Sequence, residues 1–194
     1  MPNLSSKAKV MPSSPIRKLV PYAEKAKSKG TNVFHLNIGQ PDIETPKIVI
    51  EELQNIDRKV IEYSHSAGFI SYRKGLANYY QNIGFNLDPS KEIMITTGGS
   101  EALIFAFQCC FEPGDEIITT PLTFATSVYP IEDIGCKPVF VDIDLETLNY
   151  DLDALKSAVS DNTKMIMVVN LLGNPNDFDV IQALIGDKEI TLLE

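Results

Sequence analysis

Histidine and cysteine are scarce in this sequence, at two and three residues among 194, and that scarcity removes several kinds of chemistry. Cys109 and Cys110 are neighbours in a helical run and point to different sides, while Cys136 stands far off. Neither a zinc spacing nor a disulfide framework results, so buried free thiols and no metal site are expected. His35 and His65 stand clear of any serine or cysteine pattern of the kind a catalytic triad uses. Positive charge is short as well. A formal net charge of −9 repels the phosphates of nucleic acid and of anionic membranes over most of the surface, so neither is expected as a partner. Lys25, Lys27 and Lys29 read as a solvated helix face. No apolar run approaches the ~20 residues of a membrane span. The opening MPNLSSKAKVMPSSP lacks the apolar middle of a secretory signal, and a cytoplasmic protein is expected.

What is present is a chain of one domain, or of a domain with a small appendage. Residues up to Ser13 read as a tail or arm. Ser14 and Pro15 cap a helix over 16–27 that Gly30 stops and Pro21 interrupts, giving two short pieces. A short strand is expected at 33–37, ending in the polar turn Ile38-Gly39-Gln40-Pro41-Asp42. Thr45-Pro46 opens a helix with Val49, Ile50, Leu53 and Ile56 as a buried stripe. Residues 63–68 form a loop, and 71–82 a helix with Tyr72, Leu76, Tyr79 and Tyr80 on its apolar side.

From Asp88-Pro89 onward strands at 92–97, 116–120, 137–142, 164–170 and 189–194 alternate with helices at 101–111, 123–134, 152–160 and 177–185. Such alternation builds βαβ units around a mostly parallel sheet with helices on both faces, a three-layer αβα fold. The helix at 101–111 is apolar nearly all round and should be deeply buried. In open parallel sheets ligands gather at the carboxyl ends of strands. Those ends are Thr97–Ser100, Pro121–Phe124, Asn170–Pro175 and Glu194.

The first of these ends is the most informative. Ile93 to Thr97 is β-branched and apolar, Gly98-Gly99 supplies a turn, and Ser100 is a good N-cap. Free N–H groups and the positive helix end then face one spot, as they do when a backbone holds a phosphate. The turn is also compatible with an ordinary strand-to-helix connection. Gly98-Gly99-Ser100 lacks both the dinucleotide glycine spacing and the lysine of a P-loop, which counts against a nucleotide-binding domain.

An anion cradle, an aromatic residue after the next strand and an amide-bearing loop after a third suit a flat, phosphorylated, hydroxylated ring. From Ser14 onward the chain resembles the large domain of pyridoxal-phosphate-dependent aminotransferases of fold type I. Its first part resembles the class I/II aminotransferases through Asn37–Asp42, Thr45-Pro46, Tyr63 with Gly68, and Thr97–Leu103. Its second part resembles the DegT/DnrJ/EryC1 sugar aminotransferases and their dehydratase relatives, through Thr119–Ala125, Lys137–Asp144 and Gly173–Asp179. The two resemblances meet near Glu112–Ile117, which points to a composite chain. The implied division is an N-terminal arm and helix over 1–30 and a partial cofactor-binding large domain over 31–194.

The resemblance implies pyridoxal 5'-phosphate with its phosphate at Gly99, Ser100 and Glu101, Phe124 stacked on the pyridine ring, and Asn174 on the ring hydroxyl. Phe124 also fits as an ordinary core side chain, and Gly-Asn-Pro as an ordinary turn. Tyr63 matches a tyrosine that reaches the phosphate of a partner subunit, which implies a homodimer. Gly39 matches a backbone position near a substrate carboxylate. Transfer of an amino group between an amino-acid donor and a keto acceptor is the implied reaction, the acceptor in the second branch being a nucleotide-linked keto sugar. A sugar dehydratase and a non-catalytic binding module are the alternatives. The family's catalytic lysine, and the acid that holds the pyridine nitrogen charged, lie beyond Glu194, so this chain by itself is expected to be truncated and not to transaminate.

Overall fold

The described residues, 3–39, 41–57 and 59–194 of a computed structural model, fall into two compact units, Met1–Glu62 and Tyr63–Glu194. The boundary between the two units falls after Glu62. Gln40, within the Asn37–Asp42 motif, lies outside the described residues, as do Met1 and Pro2 of the opening stretch.

In the first unit the expected tail contains a one-turn helix, α1 (Ser6–Val10), because Ser5 Oγ accepts the Ala8 N–H at 3.1 Å. A 3₁₀ turn (Arg17–Leu19) then leads into α2 (Val20–Lys27). Pro21 sits in the first turn of α2, where a missing N–H is harmless, so the two pieces are as expected. Gly30 at φ 82° ends the run by donating to the Lys27 carbonyl. Residues 33–37 are irregular and not a strand, since no ladder partner exists for them among the described residues. The stripe on α3 (Lys47–Gln54) and just beyond it is not buried. Val49, Ile50, Leu53 and Ile56 are 43–62% exposed, because the described residues supply no surface to cover it.

The second unit begins with α4 (Ile70–Gln81). Its buried residue is Arg73, whereas Tyr72 and Tyr79 of the expected apolar side are exposed. Alternation follows in the expected order: α5 (Gly99–Cys110), β1 (Glu116–Thr119), α6 (Ala125–Asp133), β2 (Lys137–Phe140), α7 (Leu152–Ala158), β3 (Thr163–Met167), α8 (Phe178–Ile185) and β4 (Thr191–Leu193). The strands form one parallel sheet in the order β2-β1-β3-β4, with Ile118 level with Val139 and Ile166, and Ile166 level with Leu192.

Strand periodicity then sorts the core. Ile118, Ile166 and Val168 pack on one face with Tyr150, Leu155 of α7 and Ile181 of α8. Ile117, Met165 and Met167 pack on the other with Phe107 of α5, Ile131 of α6 and Cys136. Burying each such large apolar side chain contributes about 1.5–3 kcal/mol, which is why strands covered on both faces read as continuous apolar runs. The result is the three-layer αβα arrangement.

Three further expectations fail in this unit. Residues 92–97 form no strand; a strand needs a neighbour to accept its ladder, and beyond the adjoining 88–91 turn this segment finds a single carbonyl, that of Ala67. Helix α5 buries only Phe107 fully, and Phe105 is 41% exposed, since the sheet covers one side of the helix and nothing described covers the other. Cys109 and Cys110 are exposed, so Cys136 alone is a buried thiol.

Candidate active site

The turn before α5 is built from its own polar groups. Glu101 reaches back to accept the Thr97 N–H at 2.7 Å, and Thr96 Oγ1 donates to the Gly98 carbonyl at 3.0 Å. Gly98, not Ser100, is the N-cap; Ser100 lies in the first turn. The Gly98 backbone is extended, with φ 175° and ψ 177°, so neither glycine here serves a left-handed turn. Their value is space. A Cβ added at Gly98 or Gly99 would meet no atom within 4 Å, leaving the backbone open to a ligand. The Gly98 carbonyl takes the N–H groups of Glu101 and Ala102. The N–H groups of Gly99 and Ser100 remain as the outward donors at the positive end of a 12-residue helix.

These donors open into a cleft of about 640 Å³ at the carboxyl edge of the sheet, lined by Gly99, Ser100, Leu103, Phe124, Thr126, Leu193 and Glu194. Phe124 is the N-cap of α6 and is 67% exposed, so it is a cleft wall and not a core residue. Thr126, Leu103 and Leu193 were not legible as lining residues. Thr126 had one signal: it stands four residues before Pro130, whose ring supplies no N–H to the Thr126 carbonyl. No lysine or arginine lines the cleft, so attraction for an anion rests on backbone N–H groups, against the nearby carboxylates of Glu101 and Glu194.

The other anticipated residues are placed differently. Asn174 is exposed and its amide donates to the Thr147 carbonyl at 2.5 Å, away from the cleft lining. Its neighbours knit the loop instead. Asn176 is 6% exposed, donates to the Val169 carbonyl and accepts the Tyr150 N–H, while Asn170 donates to the Glu194 carboxylate. Leu172, at φ 55°, occupies the left-handed region in the same loop and is 91% exposed. Glu101 spends both its N–H and its carboxylate within the turn. Tyr63 is fully exposed at the start of the second unit, and Gly39 is exposed within the first. Beneath the Asn176 loop, the Tyr150 hydroxyl donates to the Met167 carbonyl at 2.7 Å, and burial pushes this phenol well above its ordinary range. Burial also raises the Cys136 thiol, helped by Asp115 and Glu112. Among the described residues there is no cluster of three or more metal-ligating side chains, and no helix is long and apolar enough to cross a membrane.

The start of α5 and the exposed Phe124 thus border one cleft at the edge of the parallel sheet. The model of the DegT/DnrJ/EryC1/StrS aminotransferase family matches residues 73–194. The chain belongs to this family. Among members of known role, GDP-4-keto-6-deoxy-D-mannose 3-dehydratase of Escherichia coli O55:H7 is 44% identical over 108 residues, covering 53% of this chain and 28% of that protein. A crystal structure of GDP-4-keto-6-deoxymannose-3-dehydratase with a trapped PLP-glutamate geminal diamine superposes with a TM-score of 0.62 at 33% identity, over 76% of this chain and 37% of that one. The aspartate aminotransferase of Thermus thermophilus with maleate superposes with a TM-score of 0.79 at 25% identity, over 99% of this chain and 52% of that one. The fold is therefore that of the fold type I aminotransferases, and the chain spans less than half the length of the curated relatives it matches. The DegT family match begins at residue 73 and the aspartate aminotransferase likeness runs past residue 117, so the two resemblances overlap instead of abutting at 112–117.

Proposed function

We propose that the protein to which this chain belongs binds pyridoxal 5'-phosphate in the cleft at the end of α5 and transfers an amino group between an amino-acid donor and a keto acceptor. The observation that carries the reading is the pairing of outward N–H groups at Gly99 and Ser100 with the exposed Phe124 in one cleft. Those donors would take the phosphate. Hydrogen bonds to a charged group contribute about 1.5–3 kcal/mol each, enough to offset the cleft's acidic surroundings. Phe124 would lie against the pyridine ring and Leu103 and Leu193 would exclude water from its edge. When bound, the cofactor supplies an electron sink for bonds at the substrate carbon. Asn174 on the ring hydroxyl requires its amide to leave the Thr147 carbonyl, and Tyr63 acts across a homodimer, with Gly39 near the substrate carboxylate. A cytoplasmic location accompanies this reading.

A second reading has its own support. The 44% identity to a GDP-sugar 3-dehydratase exceeds the identity to the aspartate aminotransferase, and favours a nucleotide-linked keto sugar as acceptor or as the substrate of a dehydration. Fluorescence titration with pyridoxal 5'-phosphate and with pyridoxal tests the first claim: the phosphate ester should bind at least tenfold more tightly. Equal affinities would remove the cofactor reading. Product analysis of the full-length protein with an amino donor and a GDP-keto sugar, scoring amino sugar against deoxy sugar, separates the two reactions.

A further inference from the structure

The geometry points to Arg73 as the positioning residue that fixes the turn carrying Gly99 and Ser100, an inference that rests on the cofactor reading above. Arg73 is 4% exposed on α4, and among the described residues no carboxylate lies within ion-pair distance of it. Burying an uncompensated cation is costly, and the structure shows what it is used for. Its guanidinium donates from Nε to the Gly68 carbonyl at 3.2 Å and from one terminal nitrogen to the carbonyls of Pro89, at 2.7 Å, and Ser90, at 3.5 Å. One planar fork thus joins the 64–68 loop to the 88–91 turn.

Both of these flank the segment that leads to Gly98. Residues 93–96 have no strand ladder, and among the described residues a single backbone bond ties them to another part of the chain: the Ile95 N–H to the Ala67 carbonyl, at 3.1 Å. Ala67 is next to the Gly68 that Arg73 holds. Gly68, at φ 89°, lies so close to Ile95 that an added Cβ would come within 2.6 Å of that side chain. The Pro89–Ser90 carbonyls fix the other end of the segment. The run is therefore tied before its start, at Pro89 and Ser90, and at Ile95, through the loop residue next to Gly68, and one side chain holds both anchors; beyond Ile95 the chain leads into the two N–H donors of the cleft. A lysine in the same place carries the charge but not the fork, so charge alone does not reproduce the effect.

The test compares amide hydrogen exchange in the chain and in its Arg73→Met, Arg73→Lys and Gly68→Ala variants. Exchange at the hydrogen-bonded amides of Ile95, Thr97 and Glu101 should accelerate roughly tenfold or more in all three, while amides of β3 and α7 keep their wild-type rates. Gly68→Ala displaces Ile95 without touching the guanidinium, so the prediction stands even if Arg73→Met does not fold. The preference for pyridoxal 5'-phosphate over pyridoxal should fall at least tenfold in Arg73→Met with pyridoxal affinity unchanged, a selective loss that general destabilisation does not produce. Unchanged exchange at Ile95, Thr97 and Glu101, acceleration spread evenly over β3 and α7, or full rescue by Arg73→Lys would overturn the inference. If the wild-type chain shows no preference for the phosphate ester, the cofactor reading fails, and the exchange rates still decide whether Arg73 fixes the turn.

Discussion

Replacing Tyr150 with Phe removes one oxygen from the middle of the molecule, and the structure says what that oxygen does. Tyr150 is 3% exposed, its hydroxyl donates to the Met167 carbonyl at 2.7 Å, and its N–H is held by the Asn176 side chain. Phe keeps the packing, so the loss is one hydrogen bond and a strand carbonyl left without its partner, about 1–2 kcal/mol. The same hydroxyl makes stability depend on pH. Burial raises the folded-state pKa of Tyr150 above the unfolded value of about 10. A raised pKa means that the contribution is complete below the unfolded value and is lost as pH climbs past it. Above pH ~10 the wild-type chain should lose about 1.4 kcal/mol per pH unit that Tyr150→Phe does not lose. A gap of 1–2 kcal/mol at pH 8 should therefore close near pH ~11. Urea unfolding of both proteins at intervals between those pH values, followed by far-ultraviolet circular dichroism, measures it. A gap that stays constant to pH ~11 would refute the argument, because the phenol would then ionise as easily folded as unfolded.

Three other substitutions or treatments follow from the same geometry. Glu101→Ala removes the acceptor of the Thr97 N–H and should lower the unfolding free energy by about 0.5–1.5 kcal/mol, as measured by urea denaturation. Phe124→Ala should weaken pyridoxal 5'-phosphate binding roughly three- to tenfold, the share of a ring pair, while leaving the unfolding midpoint in place because Phe124 is 67% exposed. Ellman's reagent should modify Cys109 and Cys110 rapidly in the folded chain and reach Cys136 only on unfolding, since the first two are exposed and the third is buried with a raised pKa.

The parallel core was legible because its strands are buried on both faces, and runs such as Glu116–Thr119 and Thr163–Met167 state that in their composition. Helix starts were legible where the cap is local: Asp151 holds the N–H groups of Asp153 and Ala154, and Asp177 holds that of Val180. Residues 92–97 misled because β-propensity describes a residue's fit to a ladder, while the ladder itself must come from elsewhere. Helix α5 misled for a related reason: apolar side chains on every side do not create a second layer to cover them. Gly99 and Ser100 were expected from the turn that starts a helix and Phe124 from the loop after a strand, and the structure brings the three to one cleft although 92–97 is no strand. The asparagines were harder. Asn170, Asn174 and Asn176 share a loop whose path turns on left-handed backbone at Leu172 and Gly173, and that path decides which amide is buried. Arg73 was invisible because an arginine on a helix reads as a surface residue until the carbonyls around it are known.

In the proposed function the backbone at the start of α5 holds the cofactor's phosphate. The most direct measurement is a two-dimensional ¹H–¹⁵N spectrum of the labelled chain titrated with pyridoxal 5'-phosphate and, separately, with pyridoxal. The account predicts that the Gly99 and Ser100 amide resonances shift with the phosphate ester and not with pyridoxal, and that the amides around Phe124 shift with both. Shifts confined to exposed lysines such as Lys188, with Gly99 and Ser100 unmoved, would contradict it.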